Sequence, residues 1–377
     1  MNDIVIAGYA RSPFHLAGKG ALARVRPDDM AAQVVRALVD RTGVKAEDLE
    51  DLLLGCAFPE GEQGFNIARL VGLLAGLPQS VAGMTLNRFC GSSMSSIHYA
   101  AGQIAMGAGD AFICGGVESM SRVPMMGFNP MPNPELAKAT AAYMSMGTTA
   151  ENVAKEWNIG REEQEAFAVR SQQKTAAAVA AGKLADEIVA IDTGKGMVEA
   201  DGTPRPETTS ETLASLKTAF DANGTVTAGT SSPLTDGATA VLVTSADYAA
   251  ANGLKVMAKV RSVAVSGCKP EIMGIGPIGA SRKAMERAGI TAADLDVVEL
   301  NEAFASQSIA VIRDLGLDEA KVNIDGGALA IGHPLGATGA RITGKAAQLL
   351  QREGGKYALA TQCIGGGQGI ATVLEAV

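Results

Sequence analysis

Cys90 is the residue of this sequence whose surroundings best suit a nucleophile. It lies in the segment NRFCGSSM at 87–94, and a helical pattern follows over residues 95–106. We expect the cysteine at or just before a helix N-terminus, where the dipole and free N–H groups favour a thiolate. A thiolate attacks carbonyls and thioesters, so the pattern predicts covalent catalysis. Burial as a small hydrophobic residue is the commoner fate of a free cysteine, but the Gly-Ser-Ser neighbours favour a functional role.

His333 is the candidate base for such a nucleophile. It is one of three histidines and lies in the glycine-rich segment GGALAIGHPLGATGAR at 326–341. The glycines allow the backbone to close around a small ligand, and an imidazole can deprotonate a thiol near neutral pH. His15 and His98 lack these surroundings, and His98 is expected to be packed or at an interface.

Two strand ends supply further candidates. Cys363 begins the segment CIGGGQG, directly after an apolar strand at 357–361. Its thiol could donate and accept a proton, and the following glycine N–H groups could form an oxyanion hole. Asn301 opens the segment NEAF at the end of another strand, where its amide could hold a water or an oxygen atom.

An internal repeat indicates how these segments are positioned. Residues 41–58 (RTGVKAEDLEDLLLGCAF) match residues 287–304 (RAGITAADLDVVELNEAF) without a gap, at an offset of 246. Each copy ends a helical segment (30–41 and 280–288), passes a short acidic turn and enters an apolar strand. Strands alternating with helices predict βαβ units, and we expect an α/β fold of two duplicated halves with a largely parallel sheet covered on both faces.

The segment between the halves, at about 120–248, differs in composition. It opens with Met- and Pro-rich chain, continues with helical stretches at 150–156 (with Thr148 as the expected N-cap) and 161–181, and closes with a Gly/Thr/Ser loop at 227–232. An insertion of this length is either a functional lid or interface element or ordinary surface elaboration, and the sequence leaves both open.

Composition excludes several classes of function. The chain has 377 residues, which suggests two or three domains, and a net charge of −8 without a basic block, so nucleic acid is an unexpected partner. Five cysteines without a Cys-x-x-Cys pair, together with three histidines, predict reduced thiols and no zinc site. The N-terminal residues resemble neither a signal nor a transit peptide, and no apolar run reaches about 18 residues, so we expect no membrane span and a cytoplasmic protein.

The combination of Cys90 in its Gly-Ser loop, Asn301-Glu302-Ala303-Phe304, Gly332-His333-Pro334 and Cys363-x-Gly-Gly-Gly resembles the thiolase family, and the resemblance runs from Ile4 to Glu375. It implies a five-layered αβαβα fold with a loop domain inserted in the first half. We therefore expect an N-terminal half at 1–119 plus 236–255, an inserted CoA-binding domain at 120–235 and a C-terminal half at 256–377. It also implies coenzyme A as co-substrate, with no metal and no permanently bound cofactor.

The resemblance further assigns roles. His333 would activate Cys90 and, with a water on Asn301, form one oxyanion hole, while the N–H groups of Cys90 and Gly365 would form a second. Cys363 would move the proton on and off the α-carbon. These residues would cleave a 3-ketoacyl-CoA to acetyl-CoA and a shortened acyl-CoA through an acyl-Cys90 intermediate, or carry out the reverse Claisen condensation.

The family's CoA contacts also have counterparts here. Ser232 resembles the serine that meets the pantetheine arm, and Arg205 is a weaker candidate for the nucleotide end. The residues that resemble the apolar walls are Met146, Phe220, Ala228 and Phe304.

Within the family, the segments around Cys90 and at 205–209 resemble bacterial degradative 3-ketoacyl-CoA thiolases of fatty-acid β-oxidation. The alternative is a short-chain acetoacetyl-CoA thiolase (acetyl-CoA C-acetyltransferase), which usually has His-Met-Gly where this chain has Ser145-Met146-Gly147. The family favours a homodimer or homotetramer, and docking to a β-oxidation hydratase/dehydrogenase stays open.

Three further alternatives compete with this interpretation. Ketoacyl synthases share the duplicated fold but typically place a second histidine or an asparagine where this chain has Cys363. A nucleotide-binding oxidoreductase would use Gly274–Gly279, a weak G-x-G-x-x-G match with no strand leading into it. A non-catalytic CoA-binding or docking subunit would not require the complete set of candidate catalytic residues.

Overall fold

The computed structural model describes residues 3–377. The strands are β1 (Ile4–Arg11), β2 (His15–Leu16), β3 (Asp51–Gly55), β4 (Ala82–Leu86), β5 (Ala111–Ser119), β6 (Ile191–Asp192), β7 (Met197–Val198), β8 (Thr235–Ser245), β9 (Ala258–Gly267), β10 (Val297–Leu300), β11 (Tyr357–Ile364) and β12 (Gln368–Glu375). The helices are α1 (Pro27–Thr42), α2 (Ile67–Leu74), α3 (Ser92–Ala105), α4 (Pro134–Ala139), α5 (Met146–Glu156), α6 (Arg161–Ala180), α7 (Ser210–Ala214), α8 (Ala246–Ala251), α9 (Gly276–Ala288), α10 (Ala305–Leu315), α11 (Ala328–Ile331) and α12 (Leu335–Glu353).

Nine of the strands form one continuous path in which the two halves mirror each other. The first half has the order β4-β3-β5-β8-β1, and the second continues as β9-β12-β11-β10. The halves meet where β1 pairs with β9 at two positions only. The repeated sequence occupies the same place in each half, because its two copies run through β3 and β10. The duplication predicted from the sequence is therefore a duplication of structure.

The sheet is mixed, so the expectation of a largely parallel sheet was wrong. Only β3 with β4, β3 with β5 and β10 with β11 run parallel. These are the βαβ units that the alternating pattern indicated. The remaining strands pair antiparallel because β12 returns from β11 through a tight glycine turn, and β8 enters beside β5 after the long insertion.

Three apolar cores separate five layers. The first core lies between α1, α2 and the first-half strands, and the third lies between the second-half strands, α9 and α10. The middle core joins both halves of the sheet to α3 and α12, which pack against each other. α12 is buried over most of its length, including polar residues such as Arg341 and Lys345. This is the αβαβα arrangement that the sequence predicted.

The insertion lies between β5 and β8. Its central helix α6 packs against α10 and α11 of the second half, whereas the stretch from 124 to 145, with α4, is largely exposed. The helix expected from Thr148 begins earlier, at Met146, because the Ser145 side chain caps it by accepting a hydrogen bond from the Thr148 N–H. The division at residues 119, 235 and 255 stays a prediction.

Candidate active site

Neighbouring parallel strands bring two of the candidate residues together in the second half of the sheet. β10 and β11 pair in register, with Leu300 opposite Thr361; Asn301 follows β10, and Cys363 is the last but one residue of β11. The Asn301 N–H donates to the Thr361 carbonyl at 3.0 Å, which anchors this backbone to β11. After β11 the chain reverses through Gly366 and Gly367, both at positive φ, where glycine carries no steric cost.

Cys90 reaches the same place from the other half of the molecule. It precedes α3 by two residues, and Phe89 before it has φ of 44°, a left-handed conformation that is strained for an aromatic residue. The Gln362 side-chain amide donates to the Cys90 carbonyl, which ties the nucleophile loop to β11. The backbone N–H groups of Gly365 and of Cys90 itself favour a negative charge on the Cys90 sulfur and so act to lower its pKa. A negative charge formed at this point would therefore meet two backbone donors.

His333 stands in the loop before α12 and is held in one tautomer. Its Nδ1 lies 2.6 Å from the Thr338 hydroxyl oxygen, and that hydroxyl donates its single proton to the Pro334 carbonyl at 2.9 Å. Nδ1 must therefore carry the imidazole hydrogen and donate a hydrogen bond to the Thr338 oxygen. This leaves the lone pair on Nε2, which faces the Asn301 amide nitrogen at 3.4 Å.

Asn301 has spare hydrogen-bonding capacity. It is fully buried, and its Oδ1 atom has no partner among residues 3–377. A buried amide oxygen without a partner is costly unless a water or ligand completes it. The side chain can therefore hold a water beside Nε2 of His333.

Burial keeps the three reactive groups neutral in the unliganded site. It raises the pKa of Cys90 to about 12, although the Gly365 and Cys90 N–H groups oppose the shift, and it raises the pKa of Cys363 well above its usual value, with the nearby Cys90 adding to it. Burial, followed by the charge of Arg341, lowers the pKa of His333 to about 3. At Cys90 desolvation therefore outweighs the N–H groups that favour a thiolate, and the role of Cys90 as nucleophile stays a prediction.

The arrangement has the parts of a base-activated nucleophile. A neutral imidazole can accept the thiol proton, so the thiolate and imidazolium form together as a pair. Cys363 lies close enough to Cys90 for its pKa to depend on it, and it offers a second thiol proton.

Most of the predicted CoA contacts gather beside these groups. The rings of Phe220 and Phe304 meet edge to face with centroids 6.1 Å apart, and Phe220 packs over the Cα of Gly147, next to Met146. Met146 also packs on the small apolar cluster that contains Phe304 and Cys363. The Ser232 N–H donates to the Ala303 carbonyl at 3.0 Å.

Two of the predicted contacts are placed differently. Ala228 begins a short 3₁₀ turn and is exposed. Arg205 is exposed on the chain before α7, and its N–H donates to the Gln172 side chain on α6. No described contact joins Arg205 to the other candidates, so the structure does not bring it into the group.

Two buried polar residues of the site were not found from the sequence. Thr338 orients His333, and Gln362 holds the backbone of Cys90. The available signal was a polar residue in an otherwise apolar strand for Gln362, and a hydroxyl one helical turn beyond the histidine for Thr338.

Some ligand classes find no support in the described part of the chain. Residues 3–377 contain no group of three His, Cys, Asp or Glu side chains that could hold a metal ion, and none of their helices is long and apolar enough to cross a membrane. All five cysteines lie in this range and are free thiols. The Gly274–Gly279 segment forms the end of a 3₁₀ turn and the start of α9, with no strand leading into it, so its geometry does not favour a dinucleotide site.

Comparison with known proteins gives consistent matches over the full chain. Residues 4–247 match the family model described as thiolase, N-terminal domain, and residues 254–376 match thiolase, C-terminal domain. The chain is 49% identical to a 3-ketoacyl-CoA thiolase of Bacillus subtilis, with 100% of both chains covered, and 50% identical to one of a Marinomonas species, with 100% of this chain and 99% of that protein covered. It also superposes on the crystal structure of human mitochondrial 3-ketoacyl-CoA thiolase in complex with CoA, with a TM-score of 0.92 and 37% identity over 100% of this chain and 98% of that one.

Proposed function

The chain belongs to the thiolase family, and on this premise we propose how its residues carry out the family's reaction. The protein is an acyltransferase that cleaves a 3-ketoacyl-CoA with coenzyme A, giving acetyl-CoA and an acyl-CoA shortened by two carbons. The same residues run the reaction backwards as a Claisen condensation. Coenzyme A is a co-substrate.

In the first half-reaction, Nε2 of His333 accepts the Cys90 proton while the sulfur attacks the 3-keto carbon. The N–H groups of Cys90 and Gly365 receive the oxygen of the tetrahedral intermediate, which fits their stabilising effect on a negative charge at Cys90. The bond between the α and β carbons then breaks. The acyl group remains on Cys90 as a thioester, and acetyl-CoA leaves as its enolate.

The enolate needs a charge sink and a proton. The His333 imidazolium donates a hydrogen bond from Nε2 to the enolate oxygen. Asn301, whose amide nitrogen lies 3.4 Å from Nε2, completes this second oxyanion hole through a water held on its amide. Cys363 gives its thiol proton to the α-carbon and becomes a thiolate. Free coenzyme A then gives its thiol proton to the Cys363 thiolate and attacks the acyl-Cys90 thioester. The shortened acyl-CoA is released, and the departing Cys90 sulfur recovers its proton from the His333 imidazolium.

Coenzyme A is proposed to approach along the inserted segment. Its pantetheine arm would pass between Ser232 and the apolar walls formed by Met146, Phe220 and Phe304, with Ala228 at their exposed rim. Arg205 stays a proposal for the nucleotide end, supported only by the sequence resemblance.

The observation that carries the assignment is the convergence of the candidates on the edge shared by β10 and β11. The Gln362 side chain ties the Cys90 loop to β11 next to Cys363, and the unprotonated Nε2 of His333 lies 3.4 Å from Asn301. The test is CoA-dependent thiolysis of 3-ketoacyl-CoAs from C4 to C16 by the wild type, Cys90→Ala and Cys363→Ala. Cys114→Ala is the matched control, because Cys114 is equally buried but lies in the middle core. We expect cleavage by the wild type and control only. Full activity in Cys90→Ala would refute the mechanism.

The chain-length profile also separates the two branches of the family. A degradative enzyme of fatty-acid β-oxidation, which the names of the relatives favour, should accept substrates well beyond C4. Activity confined to C4 would identify an acetoacetyl-CoA thiolase instead.

A homodimer or homotetramer is proposed from two exposed surfaces. β4 lies at the end of the strand order, and the nearby Phe65 is 93% exposed with Leu73 and Leu74 half exposed, which suits a second copy of the chain. The Met/Pro-rich stretch at 124–145 is the proposed further contact between subunits. Light scattering after gel filtration should give a dimer or tetramer, and Phe65→Asp should dissociate a dimer formed through β4.

Docking to a β-oxidation hydratase/dehydrogenase and location in the cytoplasm stay proposals from the sequence. Gel filtration with and without such a partner tests the first, and cell fractionation tests the second. An unchanged elution volume would remove the docking proposal.

A further inference from the structure

Glu118 is a buried carboxylate that the reaction as described does not use. It lies near the end of β5 and is 1% exposed. Its Oε2 accepts hydrogen bonds from the N–H groups of Ala57 and Gly336, both at 2.8 Å. Its Oε1 accepts from the Phe58 N–H at 3.2 Å and from the Gln63 side-chain amide at 2.9 Å.

These contacts indicate that Glu118 is ionised. Every group that touches its oxygens is a donor, including the more distant Cys56 thiol at 3.8 Å, so a protonated carboxyl would have no acceptor for its hydrogen. Within residues 3–377 no lysine or arginine lies within ion-pair distance of it. Burial raises the pKa of Glu118, but the four N–H bonds oppose that shift, and we take the ionised form as the one the geometry selects. A buried charge held by amides alone is costly to keep, which points to a use.

The segments that Glu118 holds lead directly to the reacting groups. Gly336 lies in the first turn of α12, three residues after His333. Ala57 donates to Glu118, Leu335 precedes Gly336, and Met120 follows Glu118 by two residues. All three pack with Cys90 in one small apolar cluster. A side chain on Gly336 would lie 2.8 Å from Glu118 Oε2, so glycine is what allows this approach.

We propose that Glu118 is a positioning residue, which clamps the start of α12, and with it His333, against the loop that packs behind Cys90. The proposal rests on the roles proposed above for Cys90 and His333. One carboxylate joins a loop of the first half to a helix of the second, across the junction where the nucleophile and its base must meet. A shift of about 1 Å between them would cost on the order of 100-fold in rate.

The charge of Glu118 has a second consequence. It disfavours a thiolate at Cys90, in the same direction as burial, so the sulfur keeps its proton until His333 accepts it. Cys363, whose pKa the nearby Cys90 raises, is a neutral thiol and supplies no positive charge. Removal of the charge should therefore make Cys90 more reactive toward an alkylating agent while it makes the enzyme slower.

Two substitutions separate geometry from charge. Glu118→Gln removes the charge and turns an amide NH₂ toward two of the N–H donors, whereas Glu118→Asp keeps the charge but shortens the clamp. Glu187→Gln is the matched control, since Glu187 is also a 1% exposed carboxylate but belongs to an ion-pair network with Arg11 and Lys345. Each variant is measured for its melting temperature, kcat and KM in thiolysis, and the rate of Cys90 alkylation by iodoacetamide at pH 8.

We expect both Glu118 variants to lose about 100-fold in kcat with KM within about threefold of the wild type. Only in Glu118→Gln should iodoacetamide alkylate Cys90 faster, by about tenfold for each unit by which the pKa of the Cys90 thiol falls. Glu187→Gln should have a lower melting temperature and keep the wild-type kcat and rate of Cys90 alkylation.

The proposal is overturned if Glu118→Gln keeps a kcat within about threefold of the wild type, or if Glu187→Gln reproduces both kinetic effects. Faster alkylation in Glu118→Asp as well would show a loosened site without a role for the charge. If the wild type cleaves no 3-ketoacyl-CoA, the proposed function fails, but the alkylation rates still report whether Glu118 acts on Cys90.

Discussion

The Thr338 hydroxyl accepts a hydrogen bond from the Nδ1–H of His333 at 2.6 Å and donates one to the Pro334 carbonyl. The hydroxyl thereby decides which ring nitrogen is free to act as a base. Because Thr338 sits in the first turn of α12, the helix that carries it also fixes the plane of the imidazole. The tautomer is set by the fold before any substrate arrives.

Thr338→Val should remove this control without a change in volume. The Nδ1 proton would lose its buried acceptor, at a cost of about 1–3 kcal/mol, and the ring could adopt the opposite tautomer. We expect kcat to fall about 10- to 100-fold with KM little changed. Thr338→Ser keeps the hydroxyl and should keep most of the activity; equal losses in both variants would contradict the tautomer argument.

Asn301→Ala should slow the step that forms or consumes the enolate. Removal of one oxyanion-hole donor typically costs about 100- to 1,000-fold in kcat, and a water-mediated donor should fall at the lower end. Steady-state thiolysis measures the loss, and a burst of acyl-Cys90 detected by mass spectrometry shows which half-reaction is affected. Activity close to that of the wild type would remove Asn301 from the proposed site.

His333 should stay neutral across the pH range in which the enzyme is assayed. Burial lowers its pKa to about 3, so its ¹⁵N ring resonances, assigned by loss of the signal in His333→Gln, should not move between pH 8 and pH 5. The unfolded chain binds a proton on this residue below about pH 6.5 whereas the folded chain does not, so its contribution to stability declines as pH falls from 6.5 toward 3. A midpoint near 6.5 in the folded protein would contradict the prediction.

Lys345→Met should destabilise the protein and spare its chemistry. Lys345 is 1% exposed, and its Nζ lies 2.9 Å from Glu187 and 2.8 Å from Asp325. Glu187 retains Arg11 and Asp325 retains Arg352, so we expect a loss of about 3 kcal/mol, at the lower end for a broken buried pair. Urea unfolding measures it. Lys138→Met, which breaks an exposed pair with Glu135, is the control and should leave the unfolding midpoint nearly unchanged.

The repeat predicted the duplicated fold, and the glycine-rich loops indicated the candidate site residues. The two copies of the repeated sequence run through β3 and β10, and a duplicated α/β fold follows from them. Asn301 and Cys363 could be placed together because both follow apolar strands, and the carboxyl ends of parallel strands meet at one edge. Sheet direction could not be predicted in the same way, since β8 and β12 are as buried as the parallel strands and differ from them in how the chain returns.

The sequence by itself determined the fold class, the duplication, the family and the identity of the candidate nucleophile, base and second thiol. Each of these depends on local patterns: period, glycine spacing and residue type. The tertiary structure alone decided the protonation of Cys90 and His333, the tautomer imposed by Thr338, and the clamp formed by Glu118 between Ala57 and Gly336. Those properties depend on desolvation and on partners up to 218 residues apart in the chain, and neither is recorded in any short segment of sequence.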